Sequence, residues 1–158
     1  MPRLRGALSE SGFADVATYL QSGNIVLTSD AASDRLAATC ERLIADTFEL
    51  DIAVIVRTRD ELAEVVARNP LGEFAVNPRR YQVSFLAEEP HPDVVHTLAE
   101  SVVEPERLVA IGRELYAWHP DGIARSRLWA RLAGPTLGVK ATARNWTTVT
   151  KLLALADS

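Results

Sequence analysis

The chain has 158 residues, enough for one ordinary domain or two small units sharing a core. Hydrophobic residues make up 47% and charged residues 24%, the balance of a soluble globule, and a net charge of −4 argues against generic electrostatic attachment to nucleic acid or anionic membrane. No run approaches the roughly 20 apolar residues of a membrane span, no charged-then-apolar leader opens the chain, and one cysteine permits no internal disulfide, so a reducing cytoplasm is the expected location.

In chain order, the sequence begins within a helix. Pro2 suits the first turn, Leu4 and Leu8 share a face, and Gly12 is a natural stop. Residues 16–21 read as a strand, Ser22-Gly23-Asn24 as a tight turn and residues 25–28 as the returning strand. A long helix follows, with Leu36, Cys40, Leu43, Ile44, Thr47 and Phe48 on one stripe at helical spacing. Residues 52–56 are rich in β-branched side chains and predict a strand buried on both faces. Thr58 and Glu61 fit a capping box that opens a helix with Leu62, Val65 and Val66 on its buried side. Asn69-Pro70 ends it, and residues 71–79 read as a linker.

The second half opens with a strand at 81–86. A helix carrying Val94, Leu98 and Val102 follows. Residues 107–111 and 115–118 predict a hairpin around Gly112-Arg113, and His119-Pro120-Asp121-Gly122 reads as a turn. The next helix carries Leu128, Trp129 and Leu132, and Gly134-Pro135 stops it. A short strand at 138–142 precedes a last helix, capped by Asn145, whose Trp146, Val149, Leu153 and Ala156 face inward.

From residue 80 the order is therefore strand–helix–strand–strand–helix–strand–helix, and residues 2–69 repeat it with the first strand absent. The predicted class is α+β, with two ferredoxin-like (split β-α-β) units: a first unit over 1–70 lacking its N-terminal strand, a linker at 71–79 and a complete second unit over 80–158. In that architecture the first strand lies between the third and fourth. The first unit thus lacks an interior strand, and the flanking strands cannot pair across the gap. Unpaired buried backbone groups cost about 1–3 kcal/mol each. Residues outside the chain, a partner chain or rearranged pairing are the three ways to fill the gap.

Two polar motifs are candidate ligand-binding sites. Gln21, Ser22, Gly23 and Asn24 form a hairpin tip whose N–H and amide groups suit an anion or sugar; equally, Gly and Asn supply the positive φ that a tight turn demands. Arg144, Asn145 and Trp146 sit at a helix N-terminus, where free N–H groups and a guanidinium attract anions. The structural alternative makes Asn145 a cap, Trp146 a core anchor and Arg144 half of an ion pair. Arg125, Arg127 and Arg131 read as a solvated basic face. His91, His96 and His119 have no metal-ligand spacing, and Cys40 lies on an apolar stripe. Ser22, Ser84 and Ser126 lack a nucleophile-elbow context. No cofactor-binding glycine motif occurs, and no cofactor or metal is expected.

The stretches Thr18-Tyr19-Leu20-Gln21-Ser22-Gly23-Asn24-Ile25-Val26-Leu27 and Thr142-Ala143-Arg144-Asn145-Trp146-Thr147-Thr148-Val149-Thr150-Lys151-Leu152, with the looser Pro120-Asp121-Gly122-Ile123-Ala124-Arg125-Ser126, resemble the bacterial domain-of-unknown-function 1697 family. The resemblance implies an α/β fold of related halves and no particular activity. Members usually open with a strand and a glycine-containing loop, whereas Met1 here lines up just before the first helix, so an N-terminally truncated member is expected.

With polar turns and no nucleophile–base pair, the expected function is a non-enzymatic module that binds a small anionic or polar ligand, or assembles into a homo-oligomer that completes the first sheet. The alternative is an enzyme of unknown reaction whose site includes the missing loop. An RNA-binding ferredoxin-like sheet ranks last, because its strand aromatics follow no RNA-binding pattern and the net charge is negative. Neither membrane nor nucleic acid is an expected partner.

Overall fold

A computed structural model of the chain describes residues 2–19, 23–133 and 137–157. Among these lie six α-helices and six strands, the strands forming one two-stranded and one four-stranded antiparallel sheet. The chain divides into two compact units, Met1–Leu62 with Lys151–Ser158, and Ala63–Thr150. The predicted linker at 71–79 lies within the second.

The first unit runs α1 (Pro2–Glu10), β1 (Ala14–Tyr19), β2 (Asn24–Thr28) and α2 (Ser33–Phe48). Leu8 of α1 and Cys40 and Ile44 of α2 are buried together, and Phe13, Val16, Ile25, Leu27, Leu36, Leu43, Phe48 and Val54 pack around them. The helical stripe of α2 therefore meets the alternate residues Ile25 and Leu27 of β2, the fit that periods of 3.6 and 2 produce. The Arg3 guanidinium donates to the Thr47 carbonyl at 3.0 Å and lies over the Phe48 ring, tying α1 to the end of α2.

Residues 52–56, expected as a strand buried on both faces, do not form one. Residues 49–58 belong to no helix or strand, and Ile52 is 47% exposed. A strand exists only against a neighbour. β2 pairs with β1 alone, and no second strand of this unit is available among the described residues. The segment is held by Val54, which packs on the core, while the Val56 carbonyl accepts from the Arg57 side chain at 2.9 Å.

Helix α3 (Arg59–Arg68) begins in the first unit and α6 (Trp146–Ala156) ends in it. The predicted capping box at the start of α3 forms in full: the Glu61 N–H donates to Thr58 Oγ1 at 3.1 Å and the Thr58 N–H donates to Glu61 Oε1 at 2.8 Å.

The second unit contains β3 (Tyr81–Leu86), α4 (Pro92–Glu100), β4 (Arg107–Ile111), β5 (Glu114–Trp118), α5 (Arg127–Leu132) and β6 (Ala141–Asn145). The spatial order is β4-β5-β3-β6, so the first strand of this sheet lies between its third and fourth. Strands β3 and β4 keep their predicted bounds. The strand expected at 138–142 forms three residues later, where its pairing runs from Leu86↔Ala141 to Gln82↔Asn145.

Alternation along β3 and β5 creates two apolar faces. Leu86, Leu115 and Ala117 pack with Leu98 of α4 and Leu128 and Leu132 of α5. On the opposite face lie Tyr81, Val83, Phe85, Tyr116 and Trp118. There the Tyr116 hydroxyl donates to the Val65 carbonyl at 3.0 Å, and the Tyr81 hydroxyl accepts from the Leu71 N–H at 3.4 Å. The Trp146 indole stacks on Tyr81, 4.7 Å between centroids. Burial on both sides explains why every residue of β5 is shielded from solvent.

Candidate functional site

Of the hairpin-tip candidates, Gln21 and Ser22 lie outside the described residues. Gly23 has φ +88°, in the left-handed region that a glycine enters at little cost. The buried Asn24 side chain donates its amide to the Tyr19 carbonyl at 2.9 Å. Asn24 thus ties the start of β2 to the end of β1 through its side chain, whereas the positive φ expected of it is not among those observed.

At the β6–α6 junction, Asn145 Oδ1 accepts from the Thr148 N–H at 2.9 Å and caps α6. Trp146 is the anchor stacked on Tyr81. Arg144 is half-buried; its guanidinium donates to Thr142 Oγ1 and, at 2.8 Å, to the Ala143 carbonyl. Burial pulls its pKa below the usual arginine range. In the β3 ladder Arg144 stands opposite Val83 and Thr142 opposite Phe85, so both point to the sheet face that carries Tyr81 and Tyr116. The hairpin tip belongs to the first unit and this junction to the second. Arg125, Arg127 and Arg131 are exposed, as a solvated face should be.

The sequence reading missed a buried polar cluster. His119, at the end of β5, is fully buried, and its Nδ1 lies 2.8 Å from Glu106 Oε2. A carboxylate can only accept, so this nitrogen carries the proton. The Ser126 hydroxyl donates to the same Oε2, and Ser126 Oγ accepts from the Trp129 N–H at 3.0 Å, which makes Ser126 the N-cap of α5. The Trp129 ring meets His119 edge-on at 5.9 Å. Glu106 precedes β4, so one carboxylate joins three chain segments.

The three residue types are those of a hydrolytic triad, but the arrangement is not. In a triad the acid binds one imidazole nitrogen and the serine the other. Here the carboxylate and the hydroxyl both sit on the Nδ1 side, with Ser126 Oγ 3.4 Å from Nδ1. Nε2, the nitrogen that would act as base, is buried without a hydrogen-bond partner among the described residues. The cluster fastens the end of β5, the start of α5 and the segment before β4. One signal was legible: Ser126 stands directly before an apolar helical run, where a cap belongs. Nothing in the spacing of Glu106 pointed to the other two.

Among the described residues no group of three or more His, Cys, Asp or Glu side chains could hold a metal ion, and no helix is long and apolar enough to cross a membrane. No curated protein matches the chain. A conserved bacterial protein from Streptococcus pneumoniae has a similar structure, with a TM-score of 0.78 over 100% of this chain and 89% of that one. Its identity is 20%, so the likeness speaks for the fold alone. The model of a family described as "Protein of unknown function (DUF1697)" matches residues 1–116, from α1 through Tyr116 of β5. The chain therefore belongs to the DUF1697 family.

Proposed function

We propose that this protein is a non-enzymatic cytoplasmic binding and assembly module, built from two related ferredoxin-like units, and that its first unit accepts a strand from another polypeptide. One observation carries the reading: among the described residues the first sheet stops at β2. Among the described residues β2 pairs on one side only, and the nearby β-branched run 52–56 belongs to no helix or strand. Leu50 and Ile52 are 49% and 47% exposed. A free edge is usually blunted by charge, proline or a bulge. β2, with the sequence Asn-Ile-Val-Leu-Thr, carries neither charge nor proline; the irregularity of its ladder, between Ala14 and Ala17, lies in β1. An added strand supplies backbone partners and covers the run, and self-association is the simplest source of one.

The test is the oligomeric state of the native chain and of Val26→Lys from about 1 to 100 μM by analytical ultracentrifugation, a range in which mass action exposes weak association. Val26 alternates with the core-facing Ile25 and Leu27, so lysine there charges the edge without entering the core. The native protein is expected to associate and the variant to remain monomeric with an unchanged circular dichroism spectrum. A native chain that stays monomeric throughout refutes self-association.

A second reading rests on Arg144, whose half-buried guanidinium is poorly hydrated and suited to a small anion or polar ligand. In a thermal-shift panel of nucleotides, sugar phosphates and carboxylates, the stabilising compound should lose its effect in Arg144→Ala. A panel without a hit refutes it.

A further inference from the structure

Two stretches, one in each unit, carry apolar side chains that the fold leaves in water. The first is the loop between α3 and β3, which is fastened at both ends. Leu71 is buried and its carbonyl accepts from the Ala75 N–H at 2.9 Å, while Asn77 Oδ1 accepts from the Arg79 N–H at 3.0 Å. Between these ties the loop presents Phe74, 39% exposed, and Val76, 85% exposed. Cations surround the pair. The Arg107 guanidinium lies 3.7 Å from the Phe74 ring centroid, and the exposed Arg79 and Arg80 follow Val76 closely in the chain. The Arg80 side chain also donates to the Pro120 carbonyl, which positions the guanidinium and leaves its charge. Glu73 is the one acid of residues 71–80.

The second stretch is the chain that leaves α2. Glu49 has φ +56°, in the left-handed region, and its N–H closes the helix on the Ala45 carbonyl at 2.9 Å. Leu50 and Ile52 then stand exposed beside the exposed acids Glu49 and Asp51, so anionic and apolar side chains alternate. Residues 43–56 hold the acids Asp46, Glu49 and Asp51 and no basic residue. Single exposed hydrophobes are ordinary on a protein surface. Here each stretch presents two, set among charges of opposite sign, which is the complementarity that aligns one surface on another.

We propose that residues 49–52 of one copy dock on the loop 74–80 of a second copy. Leu50 and Ile52 cover Phe74 and Val76, and Glu49 and Asp51 meet Arg79, Arg80 and Arg107. The two surfaces differ and each copy carries both, so the contact is heterologous and links copies head to tail. Four apolar side chains and a few exposed ion pairs make a small interface, so the affinity is in the millimolar range. The contact uses no backbone ladder, which sets it apart from strand addition at β2.

The test uses the full chain carrying Val26→Lys, in which the β2 edge is charged and strand addition is silenced, so either proposal can fail without the other. Sedimentation equilibrium and ¹H–¹⁵N spectra are followed from about 0.1 to 3 mM, a range that brackets a millimolar dissociation constant. The mean mass should rise, with shifts at Leu50, Ile52, Phe74 and Val76 that grow with concentration. Raising the salt from about 0.02 to 0.5 M should weaken the association at least about threefold. Val76→Ser with Arg79→Ser silences the loop, and Leu50→Ser with Ile52→Ser silences the segment; all four positions are exposed, and spectral dispersion checks the fold. Each double variant alone should stay monomeric. Their equimolar mixture should form dimers and nothing larger, because each keeps the surface that the other lacks. Monomer at every concentration, association retained by either double variant alone, a mixture that stays monomeric or grows beyond dimers, or indifference to salt overturns the proposal.

Discussion

Truncating Glu106 to alanine is the sharpest probe of the second unit. Its Oε2 lies 2.8 Å from the imidazole of a fully buried histidine and also takes the Ser126 hydroxyl. The half-buried Ser126 can turn to water and keep its bond from Trp129. His119 cannot: Nε2 already has no partner among the described residues, and the change leaves Nδ1 only the long contact to Ser126 Oγ at 3.4 Å. A hydrogen bond to a charged acceptor contributes about 1.5–3 kcal/mol, and stranding one member of a buried polar pair costs about 3–5 kcal/mol. Glu106 keeps 12% of its side-chain exposure, which favours the lower end, so a loss of about 3 kcal/mol is expected. For a chain of this length that lowers the melting point by roughly 10 °C. Urea unfolding by circular dichroism measures the loss, and a double-mutant cycle with His119→Phe isolates the pair. The apolar ring removes the orphaned nitrogens, so the double variant should recover at least about 1.5 kcal/mol relative to the sum of the singles. A Glu106→Ala loss below about 1 kcal/mol, or strict additivity, refutes the cluster as a fastening.

Desolvation raises the phenol pKa values of both Tyr81 and Tyr116 above their ordinary 10.0. A raised folded-state pKa means that the fold favours the protonated phenol; this contribution is complete below pH 10 and is lost as pH climbs through the folded value. Tyrosinate absorbance at these two positions should therefore appear only on alkaline unfolding, and its reversible appearance near pH 10 in the folded chain contradicts the packing. Thr58→Ala should cost about 1 kcal/mol in urea unfolding, because it removes one arm of the α3 capping box; a change within error says that the box contributes nothing. Burial, with Glu41 nearby, pushes the Cys40 thiol up. It should react with a disulfide reagent far more slowly than the same thiol in urea.

Much of the fold was legible in residue patterns because local rules decided it. The capping box at Thr58, the positive φ at Gly23 and the strand Tyr81–Leu86 each follow from neighbours within a few positions. Residues 52–56 failed because β-branched composition reports what a segment prefers, whereas a ladder depends on a partner elsewhere. The site was less legible. Asn24, Asn145 and Trp146 stood out as polar or aromatic punctuation, and the turn, the cap and the core each use one of them. Glu106 carried no mark at all, since its partners are 13 and 20 residues away.

A single oxygen of Glu106 serves two donors from distant parts of the chain, and this constrains how the sequence can drift. Aspartate at that position is one methylene too short to reach both, while an apolar residue is tolerable only where the imidazole has already gone. Positions 106, 119 and 126 should accordingly change as a set across related chains, with lone replacements rare and paired or triple ones the rule.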